Sequence, residues 1–548
     1  MRGFGQLKEI IAHAAKDAGI SFSVGEISLE HPAELKNGDY SSGVALQYAK
    51  QAGIAPRVLA EKIVAALGEI PGVAKIEVAG AGFINFYLAP SELFGAIEEA
   101  RIEDMWGSNT SRAGQTIMVE YTDPNPFKEF HIGHLMSNAI GESIARLLQF
   151  SGADVKRANY QGDVGPHVAK AIWGKMKFQE KSWGEAYAAG AAAYEEHKEE
   201  IDAINRKVYE KSDSAINALY DVGRKESLEH FEKLYTVLGT KFDHYFFESE
   251  TAPRGVKLVE KNPEVFEKSD GAIVYKGEKV GLHTRVFITS KGLPTYETKE
   301  LGLAVLKTET WQFDQSITVT AHEQADYFAV VLAAMKEVMP EIAAKIRHVS
   351  HGMMRFAEGK MSSRTGNVIT GESLLADLTE AANVRAAESR AEDKDVLAQQ
   401  VAVAAIKYQI LKQVSGKDII FDRDRALSLE GDSGPYLQYA YARTNAIAEK
   451  AKEQNVVAKI EVNADPDELV RLLHRFPEIV EYATSLYEPH IVANYLLDVA
   501  SRFNSWYAQV HILDGTPEAA HKVAVVDAVR RTLKNGLWIL GIPAPSAM

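Results

Sequence analysis

The chain has 548 residues, 46% hydrophobic and 25% charged, so it is a normal globular sequence with room for about three domains. Its 61 basic and 75 acidic residues give a formal net charge of −14, which argues against indiscriminate nucleic-acid binding but allows a local basic face. The absence of cysteine excludes disulfides, thiolate metal ligands and cysteine nucleophiles. No apolar run is long enough to span a membrane, and the amphipathic N-terminus does not resemble a secretory signal, so we expect a cytoplasmic protein.

Residues 1–110 are predicted to form a small α+β unit. Apolar spacing predicts a helix over 5–18 and another near 56–67, followed by a strand pair around "AKIEVAGAGFINFYL". The polar segment "SNTSRAGQ" (108–115) is typical of a loop and marks the predicted end of this unit.

Residues 111–375 are predicted to form a doubly wound, Rossmann-like parallel sheet with helices on its faces. "TIMVEYTDPNP" predicts a buried strand and loop, residues 154–165 repeat that pattern, and strand character returns within 271–320. Long charged helices at about 171–240 indicate an insertion, and residues 376–548 are predicted to form a helical bundle. In such a sheet, ligands bind at the carboxyl ends of the strands.

The loop after the first of these strands reads "TDPNPFKEFHIGHL" (122–135). Pro124 and Pro126 are tolerated before a helix or in its first turn, so His131 and His134 lie on one face of a helix start. A helix N-terminus favours phosphate, two imidazoles can donate hydrogen bonds to it, and Gly133 lets a flat base approach the backbone. Taken alone, this four-residue pattern is more typical of a chance histidine pair on a helix.

A second polar loop, "FAEGKMSSRTGNVIT" (356–370), follows the strand-like "IRHVSHGMM". Lys360 stands between Gly359 and Met361-Ser362-Ser363, where it could swing onto phosphates and neutralise charge on a departing pyrophosphate. A solvated surface loop is the alternative. The two motifs occur in this order, about 230 residues apart, on a doubly wound background.

With "HIGH" and "KMSS" together, the sequence resembles class I aminoacyl-tRNA synthetases. The stretches "SGPYLQYAYAR", "GLPTYETKELGLA" and "NYQGDVGPHVAK", with "PNPFKEFHIGH", resemble the arginyl-tRNA synthetases over nearly the whole chain. The resemblance implies a ligase that activates L-arginine with ATP and Mg²⁺ and transfers it to the 3′-terminal adenosine of tRNA(Arg). It implies an N-terminal tRNA-contacting domain and a C-terminal anticodon-binding domain, and we expect a monomer without membrane contact.

The resemblance also implies roles for individual residues. The catalytic groups would be His131, His134, Lys128 and Lys360, and Gly133, Met361, Ser362 and Ser363 would complete the ATP site. A guanidinium is planar and permanently charged, so its pocket needs carboxylates and neutral acceptors. The arginine-binding residues would be Asn125, Tyr296, Glu300, Gln324 and Glu248, and the tRNA-binding residues would be Phe83, Asn85, Tyr436, Gln438 and Tyr439.

Three departures from the family pattern matter. Glu300 stands where the family usually has aspartate, and His167 stands where a glutamine is common, so the resemblance assigns His167 no role. The chain also has both Lys128 and Lys360, whereas many relatives lack the second. The competing interpretations are a nucleotidyltransferase of the same fold and a catalytically silent RNA-binding paralogue.

Overall fold

The computed structural model describes residues 3–17, 19–356, 369–386, 389, 391–461 and 464–548. Its N-terminal unit is a three-stranded antiparallel sheet in the order β1-β3-β2, covered by helices. Ile84, Phe86 and Leu88 alternate along β3 and are buried, which is the pattern of a strand with one face on a core. The predicted helices and the strand pair are confirmed. The elements are α1 (Gly3–Asp17), β1 (Tyr40–Ser42), α2 (Val44–Ala52), α3 (Pro56–Leu67), β2 (Val73–Ala79), β3 (Phe83–Leu88) and α4 (Pro90–Ile102).

The central unit is built on a five-stranded sheet, all of whose strand pairs are parallel. Its elements are β4 (Thr116–Glu120), α5 (Ile132–Phe150), β5 (Asp154–Gln161), α6 (Pro166–Lys177), α7 (Trp183–Ala192), α8 (Lys198–Glu210), α9 (Ser214–Leu238), β6 (His244–Phe247), α10 (Glu248–Lys261), β7 (Phe266–Ser269), β8 (Ala272–Tyr275), β9 (Arg285–Ile288), α11 (Tyr296–Thr310), β10 (Gln315–Ala321), α12 (Ala325–Val338), α13 (Pro340–Ala343) and β11 (Ile346–His351).

The order of the strands in this sheet is β11-β10-β4-β5-β6. The chain therefore adds β5 and β6 on one side of β4 and then returns to add β10 and β11 on the other. This reversal creates a crevice at the carboxyl end of β4, where doubly wound sheets bind their ligands. The four helices α6–α9, between β5 and β6, correspond to the predicted insertion.

The C-terminal part is mostly helical, as predicted, with one short parallel strand pair, β12–β13. Long helices bury their apolar faces against one another, so that the middle of α15 is almost entirely buried. The elements are β12 (Met354–Phe356), α14 (Gly371–Ala386), α15 (Lys394–Leu411), β13 (Ile419–Phe421), α16 (Arg423–Ala426), α17 (Gly434–Glu453), α18 (Glu468–His474), α19 (Phe476–Leu486), α20 (His490–Gln509) and α21 (Ala519–Ile539).

Side chains that donate to backbone carbonyls join this helical part to the sheet domain. On α5, the Ser143 hydroxyl donates to the carbonyl of Ile539 (2.9 Å). The buried Lys407 amine donates to the carbonyls of Leu238 (2.7 Å) and Gly541 (2.9 Å). Burial lowers the pKa of Lys407 to about 7, and a neutral amine has two N–H donors for these two acceptors. Across the described ranges, no helix is both long and apolar enough to cross a bilayer.

Candidate active site

The two histidines of the first motif lie at the N-terminus of α5, at the carboxyl edge of the sheet. His131 is the N-cap residue and has extended backbone angles, and His134 occupies the first helical turn. Their rings stack with centroids 3.4 Å apart, and a Cβ on Gly133 would lie 3.0 Å from Cε1 of His131. The small residue between the histidines therefore leaves the space that the first imidazole occupies.

Hydrogen bonds across this helix start fix the tautomer of both rings. The backbone N–H of His131 donates to Nδ1 of His134 (3.2 Å), and the backbone N–H of His134 donates to Nδ1 of His131 (3.4 Å). Because both Nδ1 atoms accept, each neutral ring carries its proton on Nε2. Burial, helped by neighbouring positive charge, lowers the pKa of both imidazoles. The pair therefore presents two neutral N–H donors at a positive helix end.

Lys128 connects the histidine pair to the rest of the crevice. Its ammonium lies 4.9 Å from the ring centroid of Tyr187, on the helical insertion, and the side chain is half-buried. Burial lowers the pKa of Lys128, with a further contribution from Lys170. The positive charge of Lys128 lowers the pKa of both imidazoles and also acts to lower the pKa of Glu248. Lys128 is therefore close to both halves of the site.

The second half of the site begins where β4, β5 and β6 end together. Asn125 lies in the loop after β4, Gly162 follows β5, and Glu248 follows β6. A Cβ on Gly162 would lie 2.2 Å from Oδ1 of Asn125 and 3.4 Å from Cδ of Glu248. Only a glycine lets the end of β5 pass between these two side chains.

Glu248 is almost completely buried and forms an ion pair with the equally buried Lys299 on α11, with 2.5 Å between Oε2 and Nζ. Burial raises the pKa of Glu248, and the positive charge of Lys299 opposes that effect. For Lys299, burial is the largest single effect and opposes the charged form, but the charge and hydrogen bond of Glu248, together with Tyr209, outweigh it and raise the pKa of Lys299. This short contact between two buried side chains fixes the pair in place.

Glu300, one residue further along α11, lies among other carboxyl groups, and no lysine among the described residues forms an ion pair with it. Burial and the negative charge of Glu120 raise the pKa of Glu300 to about 8, against the effect of Lys307. Glu120 itself is 1% exposed and pairs with Lys307 (2.9 Å between Oε2 and Nζ). Burial and Glu120 also hold the pKa of Asp123 well above its usual range. On this side of the crevice, the carboxyl groups of the described residues outnumber their positive charges.

The remaining predicted arginine-binding residues border the same crevice. Tyr296 begins α11 with 58% of its surface exposed, and its ring centroid is 5.1 Å from Nζ of Lys299. Gln324 is exposed just after β10, where its side chain makes no cap hydrogen bond to the following helix. Both side chains are available to a ligand. Lys360, Met361, Ser362 and Ser363 lie outside the described residues.

The predicted tRNA-binding residues divide into two groups. Phe83 is 40% exposed, and Tyr436 and Tyr439 are partly exposed on α17. Asn85 is buried and accepts a hydrogen bond from the Ser41 hydroxyl (2.8 Å). Gln438 is also buried, and its amide donates to the carbonyls of Gln400 (3.1 Å) and Pro543 (2.8 Å). In this structure the two buried amides hold the fold together and offer no surface to RNA.

Four charged residues of the crevice were not predicted from the sequence, namely Glu120, Asp123, Lys299 and Lys307. One signal was available, because Glu120 and Asp123 are acidic residues at the carboxyl end of a predicted strand, where ligands bind. The partners of the two lysines could not be read from spacing, since each ion pair joins separate strands or helices.

A parallel, doubly wound sheet with a His-x-Gly-His helix start at its point of reversal fits the catalytic domain of a class I aminoacyl-tRNA synthetase, and the family model for that domain matches residues 96–423. Family models agree along the chain. They are the arginyl-tRNA synthetase N-terminal domain (residues 5–88), the class I tRNA synthetase (R) catalytic domain (96–423) and the DALR anticodon-binding domain (437–548).

Whole-chain comparisons give the same result. The arginine–tRNA ligase of Lactobacillus delbrueckii subsp. bulgaricus is 31% identical over 99% of this chain and 100% of its own length. That of Treponema denticola is 29% identical over 95% of both chains. The Thermus thermophilus arginyl-tRNA synthetase structure superimposes with a TM-score of 0.83 at 26% identity, covering 99% of each chain. The chain belongs to the arginyl-tRNA synthetase family, and the predicted fold class is confirmed.

Proposed function

We propose that this protein is an arginine–tRNA ligase that uses the crevice at the end of β4 for both substrates. The main observation behind this proposal is that the crevice has two chemically different halves. Neutral imidazole donors at a helix N-terminus face one side, buried carboxyl groups line the other, and Lys128 lies between them. A triphosphate suits the first half and a guanidinium the second.

The carboxyl groups give the pocket its preference for arginine. Glu248 and Glu300 would accept from the five guanidinium N–H donors, and Tyr296 would cover the exposed side. Asn125 would hold the α-amino or carboxylate end of the amino acid, and Gln324 would border the pocket at the end of β10. A neutral or shorter analogue would leave buried carboxylates unpaired, so one site can discriminate strongly without a separate editing step.

The first step forms a bond between an arginine carboxylate oxygen and the α-phosphorus of ATP and breaks the bond to the departing pyrophosphate. The protein needs no covalent nucleophile, because positioning and charge stabilisation suffice. The Nε2–H groups of His131 and His134 would donate to phosphate oxygens while Gly133 lies against the base. Lys128 would neutralise developing charge, and from the sequence alone we assign the same role to Lys360, supported by Met361, Ser362 and Ser363.

In the second step the 3′-terminal adenosine of tRNA(Arg), through its 2′-OH by analogy with class I enzymes, forms an ester bond to the arginyl carbonyl carbon. The bond from that carbon to the adenylate phosphate oxygen breaks, and AMP leaves. We propose that the exposed Phe83 contacts the tRNA and that Tyr436 and Tyr439 stack on unpaired bases. The domain divisions 1–110, 111–375 and 376–548 assign these contacts to the two terminal domains. Because Asn85 and Gln438 are buried, we propose that these two residues support the RNA-binding surface rather than contact RNA directly.

We propose that Mg²⁺ enters with ATP, bound to its phosphate oxygens. Among the described residues, no group of three or more acidic or histidine side chains forms a ligand set for a metal ion. Mg²⁺ would neutralise phosphate charge, and we assign it no protein ligands. We further propose a cytoplasmic monomer, and sedimentation of the purified protein would test the oligomeric state.

Exchange of labelled pyrophosphate into ATP tests the proposal directly. We expect exchange that depends on arginine, with tRNA(Arg) either required or stimulating, and no exchange with citrulline or lysine at the same concentration. Citrulline is the sharper control because it keeps the shape of arginine but has no positive charge. No arginine-dependent exchange with or without tRNA would refute the proposal and favour a silent paralogue.

A further inference from the structure

His167 lies at the start of α6 and makes one close hydrogen bond, with 2.7 Å between its Nε2 and the carbonyl oxygen of Gly162. The residue is 7% exposed. A carbonyl oxygen can only accept a hydrogen bond, so Nε2 carries the ring proton and Nδ1 is unprotonated. Burial, with Lys128 nearby, lowers the pKa of His167 to about 3, which keeps the ring neutral. His167 therefore cannot supply a charge to phosphate and acts only as a fixed N–H donor.

The acceptor of this hydrogen bond is the residue that separates the two sides of the proposed amino-acid pocket. Gly162 lies so close to Asn125 and Glu248 that a Cβ there would overlap the amide of the first and touch the carboxylate of the second. A shift of the Gly162 peptide by a fraction of an ångström would therefore move one of these side chains or clash with it.

The residue that follows is fixed from the opposite direction. Asp163 is fully buried, and its carboxylate accepts from the backbone N–H (2.8 Å) and the hydroxyl (2.7 Å) of Ser249, which is the neighbour of Glu248. Asp163 thus joins the residues after β5 to the residues after β6, while the carbonyl of Gly162 accepts from His167. These contacts surround the peptide that runs between Asn125 and Glu248.

We infer that His167 is a positioning residue for arginine, which fixes the Gly162 peptide so that Asn125 and Glu248 keep their spacing. This inference rests on the proposed function of the crevice. It predicts an effect on the amino-acid half of the site and none on the nucleotide half, because the bond of His167 is to the end of β5 and the histidine pair belongs to α5.

Four proteins test the inference by arginine binding, ATP binding and steady-state kinetics. His167→Leu removes the donor, and His167→Gln keeps an N–H donor on a flexible side chain. Trp173→Phe is the matched control, because it also removes one ring N–H hydrogen bond from α6, to Glu200 (2.8 Å), outside the crevice. The fourth protein is the unchanged chain.

We expect His167→Leu to raise the KM and Kd for arginine about tenfold, the loss that one hydrogen bond typically causes, with the KM for ATP within about twofold. His167→Gln should recover arginine binding to within about threefold, and Trp173→Phe should leave it unchanged. A folded His167→Leu protein that binds arginine normally, or that loses arginine and ATP affinity equally, would overturn the inference. So would a folded His167→Gln protein without recovery.

The unchanged protein provides a second test that does not depend on variant folding. In ¹⁵N-histidine NMR, we expect His167 to carry its proton on Nε2 from pH 6 to 8 and its resonance to shift on addition of arginine but not of ATP. A proton on Nδ1, or an unchanged resonance at saturating arginine, contradicts the inference. If the unchanged protein does not bind arginine, the proposed function itself fails, which is a separate result.

Discussion

Arginine binding should release a proton from the carboxyl groups around Glu300. Burial and the charge of Glu120 raise the pKa of Glu300 to about 8, so this side chain is mostly protonated at neutral pH in the free protein. A guanidinium beside it favours the ionised form and lowers that pKa. The affinity for arginine should therefore rise with pH and level off above the pKa of the free protein.

The size of the effect follows from that pKa. If Glu300 must ionise to bind arginine, the Kd varies with the ratio of total to ionised Glu300, which changes about sixteenfold between pH 6.5 and pH 8.0. At pH 7 the protein should release about 0.9 proton for each arginine bound. Burial and the negative charge of Glu120 also raise the pKa of Asp123, so part of the proton release belongs to Asp123.

Isothermal titration calorimetry without ATP measures both the Kd for arginine at each pH and the number of protons released. Titrations in buffers of different ionisation enthalpy report the protons. Glu300→Gln should bind arginine at least about tenfold more weakly at pH 8 and should lose most of the pH dependence. Glu309→Gln is the matched control, since it makes the same change on the exposed far end of α11, where Glu309 pairs with Arg254. An arginine Kd that stays within twofold from pH 6.5 to 8.0 would show that ionisation of Glu300 does not control arginine binding. A Glu300→Gln protein whose Kd depends on pH as strongly as that of the unchanged protein would show the same.

Three further predictions concern other parts of the structure. His134→Ala should lower the single-turnover rate of adenylate formation about 100-fold with little change in the Kd for arginine, whereas exposed His13→Ala should change neither. Gly162→Ala should weaken arginine binding in equilibrium titrations, since its Cβ would displace Asn125, and normal affinity would contradict the geometry. Burial lowers the Lys407 pKa to about 7, so between pH 7.5 and 9.5 the unfolded chain binds more protons than the folded one. Across that window, the free energy of unfolding measured by denaturant should rise, relative to Lys407→Met, by about 1.4 kcal/mol per pH unit. If the free energy of unfolding varied with pH in the same way for the unchanged protein and for Lys407→Met, the pKa of Lys407 would not be lowered in the folded protein.

Local patterns were sufficient to predict the elements that form the crevice. The apolar strand before "TDPNP" and the helix start at His131 follow from side-chain periodicity and from prolines that a helix interior would not accept. The parallel sheet followed from strands that alternate with helices. These features depend on residues close together in the chain, which is why the sequence was informative about them.

The electrostatics of the pocket depend instead on contacts between distant segments. Lys299 pairs with Glu248 and Lys307 pairs with Glu120, so neither of these two lysines pairs with Glu300. Spacing along α11 gives no sign of which lysine faces which acid. The raised pKa of Glu300 could therefore be found only from the structure.

Burial was equally difficult to predict for polar residues. Gln438 and the neighbouring Tyr439 have similar surroundings in the sequence, yet the glutamine amide bonds to Pro543 inside the bundle while the tyrosine is partly exposed. The resemblance assigned both to RNA, because a motif identifies a helix without giving the direction of each side chain.

A crystal structure with a non-hydrolysable arginyl-adenylate analogue is the most direct test of the claim that the two halves of the crevice bind the guanidinium and the phosphate. We expect the guanidinium to lie within hydrogen-bonding distance of Glu248 or Glu300, with the phosphate oxygen facing Nε2 of His131 or His134. An analogue bound with its guanidinium away from both carboxylates, or with its phosphate away from both imidazoles, would show that the crevice does not bind arginine and ATP as proposed.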